Sequence, residues 1–132
     1  MLSAWESLHF ATLELVRSTP IKQRLVCAYR RHLAGIPEDQ LPLEVRHSFR
    51  QVIDALNHVK PLRGEDTVLA SVRKMSVQEA DDVAALVVEI FGVTCRELLR
   101  AARASAAVLQ LHGNERESGG FEEEALSAGN VR

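Results

Sequence analysis

Apolar side chains recur along this chain every three or four residues, in five stretches, and three of the four breaks between them carry proline or glycine. That period belongs to helices with one greasy face, so the pattern predicts an all-α fold. The first helix starts at Ser3, whose hydroxyl can accept from an orphan amide while Glu6 reaches back, and it turns Trp5, Leu8, Leu15 and Val16 inward. Ser18-Thr19-Pro20 ends it. A second helix runs from about Pro20 to Ala34, with Ile21, Leu25, Ala28, Tyr29, His32 and Leu33 on its buried face and Gly35 as a left-handed stop. After a loop at 36–40, Pro42 opens a third helix whose stripe is Val45, Phe49, Val52, Ile53 and Leu56. Residues 60–64 form a second loop. A short fourth helix, about Asp66 to Met75, gathers Val68, Leu69, Val72 and Met75. A strand over 67–72 would lack a partner for its ladder groups.

The last stretch says most. Ser76 and Glu79 form a second capping box, and small or apolar residues follow at Ala80, Ala84, Val87, Phe91, Thr94, Leu98, Ala101, Ser105 and Val108. Spacings of four and three alternate without a slip, which is a heptad seam. Its phase is kept through Gly92, so one helix is expected from about 77 to 112, roughly 54 Å long at 1.5 Å per residue. The alternative is a break at Gly92, with Thr94 and Glu97 capping a restart. Helices of fifteen or so residues span only about 22 Å, so part of the long one should overhang its bundle. That part carries Leu98, Leu99, Val108, Leu109 and Leu111 around the alanines between Ala101 and Ala107. Exposed apolar surface of this extent marks an interface, and a homodimer is expected through Leu98, Ala101, Ala102, Ser105, Val108 and Leu109. The architecture is then a bundle of three to four short helices packed on one long C-terminal helix, residues 1–112. A disordered acidic tail follows at 113–132.

Composition supports a packed core: 132 residues, 46% hydrophobic and 26% charged, fit one domain. A net charge of −2 excludes a wholesale polyanion-binding composition. The charge is polarised, however. Residues 1–63 hold nine Lys/Arg against six Asp/Glu, and residues 114–132 hold two against five. Cys27 and Cys95 fall in no metal or redox spacing, which suits a reducing compartment. With no signal-peptide pattern and no apolar run of membrane-spanning length, a cytoplasmic protein that does not enter membranes is expected.

Candidate chemistry is sparse. Glu6-x-x-His9 and Glu44-x-x-His47 have the spacing of a di-metal carboxylate bundle. Glu44 and His47 nevertheless point away from the stripe of their helix, and no Glu stands between Pro20 and Gly35. No metal or cofactor is expected. His32, beside Tyr29, reads as a hydrogen-bonded boundary residue. Arg24, Arg30 and Arg31 share the outer side of the second helix, with Arg46 and Arg50 on a flank of the third. Such a patch could meet an acidic protein or phosphates, although it lacks interleaved aromatics and helix-turn-helix spacing. The ranking puts a non-enzymatic interaction or regulatory protein first, its partners a second copy of itself and another protein. A nucleic-acid-binding regulator using the five arginines comes second. A small enzyme or metal protein built around His9, His32 and nearby carboxylates comes third.

Overall fold

The structure, a computed structural model, describes the backbone of residues 2–129 and the side chains of residues 2–113. Five α-helices follow in order: α1 (Ala4–Leu15), α2 (Ile21–Ala28), α3 (Leu43–Ala55), α4 (Thr67–Lys74) and α5 (Val77–Gly129). A single π-helical turn, Tyr29–Leu33, continues α2, and a 3₁₀ turn, Glu38–Gln40, precedes α3. No strand occurs among the described residues. The all-α architecture with a long last helix is the one the periodicity predicts. The side chains of the tail expected at 113–132 lie beyond the described residues, Gly113 apart.

Local sequence sets the helix starts. Ser3 Oγ accepts from the Glu6 amide at 3.4 Å while the Glu6 carboxylate accepts from the Ser3 amide at 3.3 Å. Ser76 and Glu79 repeat the arrangement at 3.0 and 3.4 Å, opening α5. Asp66 caps α4 by accepting from the Leu69 amide at 2.9 Å. Each cap satisfies amides that have no partner inside the helix.

The chain divides into two compact units, Met1–Glu97 and Leu98–Arg132. Within the first, α5 packs against α1 and α3. Leu8, Leu25, Leu33, Leu41, Leu56 and Ile90 are fully buried. Each contributes about 1.5–3 kcal/mol by leaving water. Val45, Phe49, Val52 and Leu56 of α3 face inward as expected, with Ile53 half-buried at the edge. The short fourth helix expected over about Asp66 to Met75 is present as α4, with Val68, Val72 and Met75 buried and Leu69 turned partly outward.

Three local expectations need correction. In α1, Trp5 and Val16 are 41% and 72% exposed. The inner row is Ala4, Leu8, Ala11 and Leu15, and the two misjudged residues stand roughly 90–110° around the helix from it. Small alanines, silent in an apolar count, are what let α1 approach its neighbours. In α2, Gly35 is not left-handed, since Gly64 at φ +85° is the one described residue with positive φ. The π turn closes instead through the Ala34 amide to the Tyr29 carbonyl at 2.9 Å, so no left-handed residue is needed. In α5, Gly92 is helical and there is no break.

Candidate functional site

The five arginines singled out from the sequence are all tied into the fold. Arg24 Nη1 donates to the Leu15 carbonyl at 2.6 Å, latching α2 onto the end of α1. Arg30 pairs with Asp66 at the start of α4. Arg31 Nη1 donates to Glu14 at 3.1 Å. Arg46 donates to the Leu41 carbonyl at 2.9 Å and the Asp39 carbonyl at 3.1 Å, and Arg50 Nε donates to Glu38 at 2.7 Å. Arg24, Arg30 and Arg31 therefore serve α1 and α4, while the arginines of α3 hold the 3₁₀ turn. Three of the five positive charges face a carboxylate, which lowers the field this surface offers to phosphates.

Glu14 is the centre that sequence reading missed. Its side chain is 9% exposed and takes Arg17 Nε at 3.3 Å, Arg31 Nη1 at 3.1 Å and His32 Nε2 at 3.7 Å. Burial pushes its carboxyl up, but the Arg31 hydrogen bond, the Arg17 and Arg31 charges and the His32 contact outweigh it. The net effect holds Glu14 below the usual carboxylate range. Its partners lie three, seventeen and eighteen residues away in sequence, so only the Arg17 contact leaves a local signature.

Of the two imidazoles named in the third functional reading, His32 meets the Glu14 carboxylate and His9 meets aromatic rings. His9 stacks between aromatic rings, 5.6 Å from Phe91 at an interplanar angle of 9° and 6.4 Å from Trp5. His32 lies 5.8 Å from the Phe10 ring. Glu6 is occupied by its capping box, and Glu44 and His47 are exposed. Among the described residues, no group of three or more His, Cys, Asp or Glu gathers as a metal site.

Comparison with known proteins gives no relative: no family model, no curated protein and no solved structure matches this chain. Function has to be read from the surfaces. Among the described residues, no helix is long and apolar enough to cross a membrane.

Among the described residues, α5 carries a run of exposed apolar side chains. Leu98, Leu99, Val108, Leu109 and Leu111 are 46%, 51%, 52%, 73% and 63% exposed, and Ala101, Ala102 and Ser105 are exposed with them. At 100° per residue, Leu98, Ala101, Ser105, Val108 and Leu109 share one stripe. Arg96, Arg100 and Arg103 fall on the far side of the helix, and none of the five stripe positions is an Asp, Glu, Lys or Arg. It continues the phase of Ala80, Ala84, Val87 and Thr94, all buried. The face buried through Thr94 is exposed at Leu98, Ala101, Ser105, Val108 and Leu109.

Proposed function

We propose that this protein is a non-enzymatic interaction module of a reducing, cytoplasm-like compartment, and that it pairs with a second copy of itself through the α5 stripe. The uncharged seam Leu98, Ala101, Ser105, Val108 and Leu109, exposed yet in phase with the bundle's own core face, carries this reading. An isologous contact places a patch against its own copy, and a seam without charge meets no like-charge repulsion there. Small residues at Ala101 and Ser105 let two backbones approach, while the flanking leucines supply apolar area. Arg96 and Arg103 on the opposite side, together with the expected acidic tail, would then face another protein.

Disulfide trapping tests the geometry. Ser105 lies midway along the 98–112 seam, so it meets its copy in a parallel or an antiparallel pair. In a background with Cys27→Ser and Cys95→Ser, Ser105→Cys should yield a covalent dimer under mild oxidation, and Ala107→Cys, on the far side, should not. Equal trapping at both positions, or none at Ser105→Cys, would refute the seam.

A further inference from the structure

A second concave surface lies in the Met1–Glu97 unit, between α2 and α4, with a volume of about 490 Å³. Its floor is apolar: Val26 and Cys27 from α2, Leu69 and Val72 from α4, at helical spacings that present one side of each helix to the other. Leu69 remains 38% exposed and Val26 half-buried, so the bundle leaves this floor open. At the rim, Glu65 accepts two hydrogen bonds from Arg73 at 2.9 and 3.0 Å, and the pair is neutral. Lys22 stands on the opposite wall, and among the described residues no carboxylate pairs with it. The groove thus presents a greasy floor and one uncompensated positive charge.

Size decides between a macromolecule and a small ligand. Eight residues line the groove, whereas a stable protein interface uses about 20–30 a side. The volume falls within the roughly 300–1,000 Å³ of small-molecule sites, which are mostly apolar with a few placed polar groups. Charge decides the headgroup. With Glu65 and Arg73 cancelling, the site is left with a net single cation, which an anionic headgroup complements.

We infer that the α2–α4 groove is a binding site for a small apolar monoanion, a medium-chain carboxylate, with its chain on Val26, Leu69 and Val72 and its carboxylate on Lys22. The Cys27 thiol lies on the floor and is covered when the site is filled.

Titration of the full chain with decanoate, against decylammonium and decanol, tests this by calorimetry. Decanoate should bind saturably at one per chain, at least about tenfold more tightly than decylammonium or decanol. Lys22→Ala should weaken decanoate about tenfold, and Lys22→Glu should invert the preference toward decylammonium. Leu69→Trp, at a partly exposed position that tolerates bulk, should fill the groove and abolish binding of either amphiphile while the helical circular dichroism persists. Decanoate should also slow alkylation of Cys27 but not of Cys95. The proposal fails if decanoate shows no saturable binding, if Lys22→Ala binds it as the parent does, or if Cys27 reacts at an unchanged rate.

Discussion

Thr94 and Leu98 stand one turn apart on the same face of α5, yet Thr94 is 2% exposed and Leu98 is 46% exposed. Thr94 closes its own account inside the bundle, its hydroxyl donating to the Ile90 carbonyl at 2.7 Å. One turn further on, the same stripe is bare. A charge should therefore be tolerated at Leu98 and not at Thr94. At protein concentrations low enough to favour monomers, Leu98→Glu should change urea-unfolding stability by no more than about 0.5 kcal/mol. Thr94→Glu should cost more than about 2 kcal/mol, because its carboxylate would be buried without a partner. Similar losses at both positions would misplace the boundary.

Gly92 sits inside α5 with a helical backbone, and a Cβ built there meets no atom within 4 Å. Gly92→Ala should raise stability by about 0.5–1 kcal/mol, by restricting the unfolded chain and favouring the helix. A destabilised Gly92→Ala protein would mean that the glycine bends the helix in solution.

The same helix shows what could be read from sequence. Its start was legible because Ser76 and Glu79 satisfy amides within one turn, and its continuity because the heptad phase does not slip at Gly92. The stripe of α3 was legible for the same reason of period. On α1 the reading erred because that helix has two apolar sides, one of Ala4, Leu8, Ala11 and Leu15 and one with Trp5, Leu13 and Val16, and residue size pointed to the wrong one. The partners of the arginines were not legible. Arg30 to Asp66 and Arg31 to Glu14 span 36 and 17 residues, separations that no local pattern encodes. The α2–α4 groove was hidden for a related cause, since Lys22 and Leu69 share it only after α2 and α4 pack.

The core should respond as a close-packed one. Leu8 is fully buried on α1. Leu8→Ala should cost about 2–5 kcal/mol in urea unfolding, through lost burial and the cavity left behind. A cost below about 1 kcal/mol would show that α1 is not part of the cooperative unit.

Acid should loosen the fold in a definite direction. Glu14 is held below its ordinary value as described above, and Glu38 by the Arg50 hydrogen bond and charge. Glu65 is lowered by the Arg73 hydrogen bond and the Leu62 amide, and Asp66 by the Leu69 amide and Arg30. A carboxyl whose folded value is depressed contributes stability that is complete above its unfolded value. That contribution is lost as pH falls from there through the folded value. The urea midpoint should thus hold near about pH 6 and fall progressively below about pH 4.5. Glu14→Gln should be less stable at about pH 6 and lose less on going to about pH 3, its share of the linkage having been removed. A variant with an unchanged acid limb would show that Glu14 does not contribute to it.

The pairing of two copies through α5 is the claim on which the functional reading rests, and mass in solution addresses it most directly. Sedimentation equilibrium at micromolar concentration should give twice the 14.6 kDa of the single chain. Leu98→Glu should return the value to that of one chain. A parent protein that sediments as a single chain across the micromolar range would contradict the account.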